Sequence, residues 1–399
     1  MTEGFSAEAG TGSAVRKSDQ GHAPILRFPG FAGEWEAAKF DYWFKINAGG
    51  DVPNEGTSKK KSAAFPFPIF ANSAQNKGLY GFAKSFREEG GCITVSGRGE
   101  LGIPNARHEP FVPIVRLLVL RPKHPSDVGF FENAIRRTRI FVESTGVPQL
   151  TGPQLSSYKI AAPTLPEQKK IAAFFGGVDA RLAALAAKQA ALGRFKAGLM
   201  QKLFSQQLRF TRDDGGDFPD WQEKELRAVS IINPKSPKLP ERFRYIDLES
   251  VNAGTLGAVS EIDATEAPSR AQRVLQRGDI LFQMVRPYQR NNLYFDLDGV
   301  YVGSTGYAQI RAKQNRRYLF HVLHTDEFVN RVLERCTGTG YPAINSNDLG
   351  KITVPLPHPA EQQKIAATLS AMDAKIQAVA DQVAKLQTFK KGLLQQMFV

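Results

Sequence analysis

Residues 286–292 (RPYQRNN) bring together, within seven positions, the side-chain types that read and hold nucleic acid. Arginine pairs bidentately with guanine, and asparagine or glutamine pairs with adenine, while tyrosine and backbone groups hold phosphates. The run favours contact with DNA over a purely solvated surface. We therefore predict DNA contacts from Arg286, Tyr288, Arg290 and Asn291.

Basic residues gather in other loops as well. The net charge of +13 is spread over several segments rather than held in one basic tail. Such an excess favours a polyanionic partner, because lysines and arginines that neutralise phosphates release counterions. For each single residue, a solvated surface position is an equal alternative. The further candidates for DNA contact are Lys59, Lys60, Lys61, Lys84, Arg98, Arg107, Arg316 and Arg317.

The motifs of catalysis are missing from the sequence. Residues 97–102 (GRGELG) have the spacing of a phosphate-cradling loop, but Pro104 argues against the helix that such a loop requires, so we predict a glycine-rich turn. His321 and His324 lack an evident third metal ligand, and we interpret them as helix-surface histidines. There is no P-loop motif, no methyltransferase motif and no convincing acid–base pair. The sequence therefore predicts a non-catalytic chain without a cofactor or metal site of its own.

The sequence contains an internal repeat, which organises the segments that carry these candidate residues. Residues 166–204 align without gaps on residues 360–398, at an offset of 194, with about 18 of 39 positions identical. The same offset extends upstream, where residues 145–148 (TGVP) face residues 339–342 (TGYP). Shared helical composition does not give such agreement, so the chain is built twice, as a variable region followed by a helix.

Each repeated segment predicts one long helix of about 60 Å, at about 1.5 Å per residue. Apolar residues recur in alternating steps of four and three, as in a coiled coil, while Lys196 and Lys390 interrupt the seam and can fix its register. If the two halves are equivalent, one helix leads to the second domain and the other returns, so the pair is antiparallel. A helical hairpin inside a single core is the alternative. The apolar row of the second copy contains Ile365, Met372, Val379, Leu386 and Leu393.

The two variable regions predict α+β domains. Short β-rich runs at residues 92–96, 112–120, 279–285 and 307–311 alternate with Gly and Pro turns, and helical patches follow near residues 128–142 and 316–335. The predicted organisation is a disordered tail (1–24), a first domain (25–164), a first helix (165–204), a second domain (205–358) and a second helix (359–399). The fold class is α+β, with a pseudo-two-fold internal repeat and two long antiparallel helices between two globular domains.

The repeated segments resemble the specificity subunits of type I restriction–modification enzymes. The resemblance covers nearly everything from about residue 25 to the end, and the paired helix openings are its most specific part. Residues 176–177 (GG) depart from the second copy, which has Ser370 and Ala371, and we expect them to loosen the first helix locally. The motifs are residues 165–172 (LPEQKKIA), 359–366 (PAEQQKIA), 195–201 (FKAGLMQ), 389–395 (FKKGLLQ), 26–30 (LRFPG) and 218–221 (FPDW).

The resemblance implies a DNA-binding role with partners. Each domain would be a target-recognition domain that reads one half of a bipartite, asymmetric site in double-stranded DNA. Two methyltransferase subunits, and optionally two restriction subunits, would carry S-adenosylmethionine, ATP and Mg²⁺. Outward-facing helix residues would bind these partners, and the candidates are Glu167, Lys170, Phe195, Glu361, Lys364 and Phe389.

Three alternatives stay open at this point. The chain could be a self-contained nuclease or methyltransferase, although the missing motifs count against it. It could be a coiled-coil scaffold without a DNA function, or the recognition subunit of a methyltransferase-only or type IIB system. Only Cys92 and Cys336 occur as thiols and no apolar stretch is long enough to span a bilayer, so we expect a cytoplasmic location with no membrane contact.

Overall fold

The computed structural model describes residues 23–138, 140, 148–252, 254–338 and 340–399. Most of the predicted tail, residues 145–147 and 339 of the upstream repeat, and the end of the helical patch near 142 lie outside these residues. The chain forms two compact units, each of which contains part of both long helices. Unit 1 comprises the described residues up to Leu185 together with Gln382–Val399, and unit 2 comprises Ala186–Asp381.

Unit 1 contains a four-stranded antiparallel sheet of order β2-β8-β5-β6, a three-stranded sheet of order β4-β3-β7, and the pair β1-β9. The predicted run at 92–96 is β5, whereas the run at 112–120 is broken into β7 and β8 by a tight turn. The strands are β1 (Glu36–Lys39), β2 (Phe44–Ala48), β3 (Phe67–Phe70), β4 (Leu79–Ala83), β5 (Cys92–Val95), β6 (Pro104–Arg107), β7 (Val112–Pro113), β8 (Leu118–Pro122) and β9 (Lys159–Ala162). The short helices are α1 (Phe40–Trp43), α2 (Val128–Arg137) and α3 (Gly152–Ser157).

Unit 2 contains two four-stranded sheets, of order β11-β20-β17-β18 and β15-β12-β19-β16, and the pairs β10-β21 and β13-β14. The predicted runs at 279–285 and 307–311 are β17 and β20. The strands are β10 (Gln222–Glu225), β11 (Ser230–Ile232), β12 (Arg242–Ile246), β13 (Val251–Asn252), β14 (Thr255–Leu256), β15 (Glu261–Asp263), β16 (Ala271–Val274), β17 (Ile280–Gln283), β18 (Leu293–Tyr294), β19 (Tyr301–Ser304), β20 (Tyr307–Ala312) and β21 (Thr353–Leu356). The short helices are α5 (Leu226–Val229), α6 (Arg316–Val322), α7 (Asp326–Leu333) and α8 (Ser346–Gly350).

Short polar side chains define where the helices of the domains begin. Asp127 accepts a hydrogen bond from the Phe130 amide at 3.0 Å and caps α2. In the same way Asn315 caps α6, Thr325 caps α7 and Asn345 caps α8. Each cap satisfies an amide that has no partner inside its own helix, which fixes these boundaries locally.

The two long helices are α4 (Leu165–Phe204) and α9 (Pro359–Met397). In unit 1, Phe175 of α4 lies against Phe398, with ring centroids 5.8 Å apart, and Asp179 pairs with Lys390 of α9 at 2.6 Å. The residue number therefore rises along α4 as it falls along α9, so the helices are antiparallel. The predicted α+β class with two long antiparallel helices is confirmed.

The two polar seam residues occupy equivalent places. Lys390 pairs with Asp179 in unit 1, and Lys196 pairs with Asp373 in unit 2. Both lysines and both aspartates are related by the repeat offset of 194. Each pair lies among the apolar residues of the seam. In the observed alignment of the two helices, each lysine faces an aspartate of the other helix. The pairs therefore favour a single register of the coiled coil.

Aromatic residues fill the core of unit 1 around the first part of α4 and the end of α9. Trp35, Phe130 and Phe398 form T-shaped and stacked contacts, with ring centroids 5.3–6.1 Å apart. The Leu26 amide donates to the Gln396 carbonyl at 2.9 Å, just as the Leu208 amide donates to the Lys202 carbonyl at 3.0 Å in unit 2. The end of each long helix is thus hydrogen-bonded to the segment that opens a domain. In unit 1 this segment is far from the helix in the sequence, whereas in unit 2 it follows the helix directly.

The double glycine of α4 does not interrupt the helix, which runs unbroken from Leu165 to Phe204. Gly176 and Gly177 are exposed, and no atom lies within 4 Å of the place where a Cβ would stand. Alanine at either position should therefore raise the free energy of unfolding by about 1 kcal/mol, measured by chemical denaturation. Gly102→Ala is the matched control and should lower stability, since Gly102 has a φ of 77° and its Cβ would lie 3.3 Å from Ile140. An unchanged or lower stability of the Gly177→Ala variant would contradict the prediction.

Candidate nucleic-acid interface

Lysines and aromatic rings share one edge of the small sheet in unit 1. Backbone hydrogen bonds between Ser58 and Phe82 bring residues 59–61 against β4. The Lys59 ammonium donates to the Tyr80 carbonyl at 3.0 Å and lies 4.2 Å from the centre of the Tyr80 ring. Lys84 lies 5.6 Å from the centre of the Phe65 ring. The structure thus brings together basic residues that are separate in the sequence.

These lysines remain available to a ligand. Lys59, Lys60, Lys61 and Lys84 are all exposed, and the pair of Lys61 with Glu109, at 3.8 Å, is exposed on both sides. The Tyr80 side chain, which the sequence analysis missed, is 42 % exposed. In the sequence, the only sign of this exposed ring is its position next to Gly81. Flat aromatic faces beside exposed cations suit a nucleic-acid backbone and its bases.

Arg98 lies in the glycine-rich turn between β5 and β6, as predicted for residues 97–102. Gly99 and Gly102 have φ values of 68° and 77°, and the Ser96 hydroxyl accepts from the Ile103 amide at 2.9 Å. The turn joins two antiparallel strands and no helix follows it, so the spacing does not form a nucleotide loop. Arg98 is exposed, and its guanidinium donates to the Gln149 side chain at 3.3 Å.

Arg107 is not on the surface. Its side chain is buried, its guanidinium lies 3.5 Å from the centre of the Phe70 ring, and it donates to Thr94 at 2.9 Å and to the Lys77 carbonyl at 2.6 Å. Burial lowers the pKa of Arg107 to about 10. The prediction of a DNA contact is wrong for this residue, because its hydrogen bonds hold two strands and a loop of its own unit.

The first part of the 286–292 run forms an exposed edge of unit 2. The Arg286 amide donates to the Pro342 carbonyl at 2.8 Å, and its guanidinium lies 4.2 Å from the centre of the Tyr341 ring. Tyr341 is 67 % exposed and Tyr288 is 51 % exposed. In the sequence Tyr341 stands out only as part of the repeat, whereas the pairing of two loops that are distant in the sequence places it beside Arg286.

The second part of the run holds its own loop. Arg290 pairs with Asp326 and donates to the His324 carbonyl at 3.2 Å. The Asn291 amide donates to the Gln283 side chain at 3.1 Å, and the buried Asn292 accepts from the Gln283 amide at 2.8 Å. Arg290 and Asn291 would therefore have to give up contacts inside the unit in order to make the DNA contacts predicted for them.

Arg316 and Arg317 also make contacts inside unit 2. Arg316 donates to the Arg277 carbonyl at 2.8 Å. Arg317 pairs with Asp296 at 2.9 Å and lies 3.5 Å from the centre of the Tyr294 ring. Both side chains link the start of α6 to other segments of unit 2. These contacts favour a stabilising role over the phosphate contact predicted from the sequence.

The interpretation of His321 as a helix-surface residue is wrong, and His324 is half-buried and lies just beyond the end of α6. His321 is 1 % exposed, because its face of α6 packs against α9, where the ring lies 3.4 Å from the Ser370 hydroxyl. The His324 ring contacts the Phe320 carbonyl at 2.8 Å. Burial lowers the pKa of His321 to about 3 and that of His324 to about 4, so both rings are neutral near pH 7.

The helix-opening glutamates are buried, and the prediction that they face outward is wrong. Glu167 accepts from Arg27 at 2.6 and 2.7 Å, and Glu361 accepts from Arg209 at 2.9 and 3.1 Å. Trp221 also donates to Glu361, at 3.0 Å. The hydrogen bonds with Glu361 raise the pKa of Arg209 above its ordinary value. Each helix-opening motif is therefore bonded, inside its own unit, to an arginine of the segment that opens the domain.

The other predicted partner-binding residues divide into two kinds. Lys170 lies 5.8 Å from the centre of the Phe28 ring, and Lys364 pairs with Asp213 at 2.7 Å, so both contact the segment that opens their domain. Phe195 and Phe389 instead point away from the chain and are 62 % and 53 % exposed. Two large apolar side chains at equivalent places of the repeat are thus left uncovered.

In the described part of the chain, no group of three or more His, Cys, Asp or Glu side chains could hold a metal ion. Among the same residues, no helix combines the length and the apolar character that crossing a bilayer requires.

The comparison with protein families gives one match that covers most of the chain. The family described as the type I restriction modification DNA specificity domain matches residues 33–193 and 219–388. The duplicated fold and the repeated match define a DNA-specificity protein with two recognition domains. The chain belongs to the family of type I restriction–modification specificity subunits, which are the non-catalytic part of these enzymes.

Individual relatives agree with this assignment. A protein of Mycoplasma pneumoniae named as a type I specificity subunit is 33% identical over 129 residues, which are 32% of this chain and 35% of that protein. The specificity subunit of the MjaVIII type I restriction enzyme of Methanocaldococcus jannaschii is 26% identical over 271 residues, 63% of this chain and 64% of that protein. The matches thus span less than two thirds of these relatives.

A solved structure shows the same fold over nearly the whole chain. The S subunit of a type I restriction–modification system from M. genitalium superimposes with a TM-score of 0.65 at 18% sequence identity, over 94% of this chain and 99% of that one. The arrangement of two α+β regions and two long helices is therefore retained at an identity at which few side chains are shared.

Proposed function

We propose that this chain selects a bipartite, asymmetric site in double-stranded DNA, with one half of the site read by each unit. The observation that carries the proposal is the duplication itself: each unit combines its own recognition domain with one copy of the same helix-opening ion pair. Two different domains on one repeated framework would read two different short sequences. The helices would set the number of base pairs between the two.

Each unit offers a surface for DNA. In unit 1 the exposed lysines are those at 59–61 and 84, of which Lys59 lies beside Tyr80 and Lys84 beside Phe65. In unit 2 the exposed Tyr341 ring lies beside Arg286, and Tyr288, two residues further along the chain, is also exposed. Lysines would hold phosphates and set the position on the duplex, whereas Arg286 would read a guanine edge. The buried Arg107 and the paired Arg290 and Arg317 would support these surfaces.

The exposed faces of the long helices would bind two methyltransferase subunits. Phe195 is followed on the same helix face by Gly198, and Phe389 by Gly392, since residues three apart are neighbours on a helix. No atom lies within 4 Å of the place where a Cβ would stand on either glycine. Glycine inside a helix costs stability, yet both copies retain it. A glycine notch beside an exposed ring would let a partner helix approach closely.

Chemistry would reside on those partners. The methyltransferase subunits would bind S-adenosylmethionine and methylate adenine, and two restriction subunits, where present, would use ATP and Mg²⁺. The two free thiols, Cys92 and Cys336, suit the reducing cytoplasm, where these partners and their DNA would meet this chain.

Methylation mapping tests the proposal directly. Cells that express this chain together with its methyltransferase should methylate adenine in one two-part motif that is absent from cells lacking the chain. Exchange of the first recognition domain for that of a relative should change one half of the motif and leave the other half intact. An active methyltransferase that methylates the same sites with and without this chain would refute the proposal and favour a scaffold.

A further inference from the structure

A tight turn in unit 1 holds two successive side chains in a conformation that such residues rarely adopt. Val115 and Arg116 have φ values of 55° and 57°, and the Leu117 amide donates to the Ile114 carbonyl at 3.1 Å. A turn with two left-handed central residues is normally made of Asn-Gly, and a β-branched residue there is a true outlier. The turn splits the predicted strand of residues 112–120 into β7 and β8.

The surrounding loops hold this turn in place. The amides of Val115 and Arg116 donate to the carbonyls of Gly50 and Gly49, at 2.8 and 3.1 Å. The Asn72 side chain donates to the Val115 carbonyl at 2.6 Å and accepts from the Gly97 amide at 2.8 Å. Strained residues persist where the surrounding structure over-determines them, and this occurs mostly at functional sites.

The turn and the neighbouring loop build one surface. A Cβ on Gly97 would lie 3.4 Å from the Arg116 carbonyl, so the loop that carries Arg98 packs directly on the turn. Arg98 and Arg116 line an open cavity of about 380 Å³ together with Asp51 and Val115. Val115 is 44 % exposed, and in the described part of the chain no carboxylate forms an ion pair with either arginine.

Because the surface combines two uncompensated guanidinium groups, a carboxylate acceptor and a small apolar side chain, it suits the edges of DNA bases. We propose that the Val115–Arg116 turn is the base-reading element of unit 1, a role that rests on the proposed function. Arg116 reads a guanine, the Val115 methyl groups pack against a thymine methyl, and Arg98 contacts the adjoining phosphate or base. The hydrogen bonds of the turn hold the backbone of Val115 and Arg116 in one conformation before DNA arrives, so that little backbone entropy of the turn is lost on binding.

The double variant Val115→Asn/Arg116→Gly separates recognition from folding. Asparagine and glycine are the residues that such a turn prefers, so the variant should unfold at a higher temperature than the wild-type chain. At the same time, co-expression with the methyltransferase should show one half of the methylated motif relaxed, with discrimination at one or two base pairs reduced by about 10-fold or more. The other half of the motif should stay intact.

Lys159→Ala is the matched control, since it removes one exposed positive charge from β9 of the same unit. It should leave the motif unchanged. A variant that keeps the wild-type motif, or one that weakens methylation equally at all sequences, would overturn base reading by this turn. A double variant that unfolds at a lower temperature than the wild-type chain would contradict the inference that the turn is strained. A wild-type chain that directs no motif at all would refute the proposed function, and this inference would fall with it.

Discussion

Replacement of Glu361 by alanine is expected to lower the free energy of unfolding of unit 2 by about 3 kcal/mol. Glu361 is fully buried and accepts from two nitrogens of Arg209 and from Trp221, at 2.9–3.1 Å. Alanine would leave the Trp221 indole without its acceptor and would remove the buried carboxylate from Arg209, which keeps only the carbonyls of Phe218 and Pro219 and the exposed Asp220. Removal of one partner of a buried pair costs far more than the pair itself contributes. Urea denaturation, followed by far-ultraviolet circular dichroism, measures the loss.

Two further variants sharpen this experiment. Glu167→Ala should have a similar effect in unit 1, where Glu167 is the acceptor for Arg27. Glu327→Ala, which removes an exposed pair with Arg331 on α7, should change stability by less than about 1 kcal/mol. A Glu361→Ala chain that is as stable as wild type but no longer binds its methyltransferase would instead restore the outward-facing role that the sequence suggested.

Replacement of Phe195 or Phe389 by alanine is expected to weaken methyltransferase binding by about 30-fold at the altered copy, which corresponds to about 2 kcal/mol. Each ring is more than half exposed, so its loss removes little packing inside the chain. An exposed aromatic side chain beside a glycine is the kind of anchor that dominates an interface. Calorimetric titration should show one methyltransferase bound tightly by each single variant and none by the double variant.

The control for this prediction lies on the same helix. Lys391→Ala changes an exposed residue two positions beyond Phe389, and therefore on nearly the opposite side of α9. It should bind both methyltransferase subunits as the wild-type chain does. Tight binding of two subunits by the Phe195→Ala/Phe389→Ala chain would show that the interface lies elsewhere, whereas a lower melting temperature would show that the rings stabilise the fold.

The architecture could be predicted because its signals are local or periodic. The heptad rows of α4 and α9 and the prolines before them define long helices at any place in a fold, and the offset of 194 links one copy to the other. Lys196 and Lys390 stood out as polar breaks in an apolar seam, and each pairs with an aspartate across it. The glycine-rich turn at 97–102 was predictable because Pro104 excludes a helix.

The burial of individual polar side chains was not predictable in this way. The helix-opening glutamates read as exposed first-turn residues, because acidic residues favour that turn on any surface helix. Their arginine partners stand 140 and 152 residues away along the chain. Only the packing of each domain on its helix reveals that such a glutamate has a partner, and the same is true of Arg107 above Phe70 and of His321 against α9.

The sequence by itself determined the duplication, the long helices, the family and the absence of catalytic motifs, because each of these is written in residue types at fixed spacing. The tertiary structure alone decided which charged residues are exposed and which are paired inside their own unit. Free and paired arginines are identical in sequence, and what separates Arg116 from Arg107 is the set of loops that long-range packing brings to each. The strained Val115–Arg116 turn shows this most clearly, since local preference argues against it and only contacts with distant loops hold it in place.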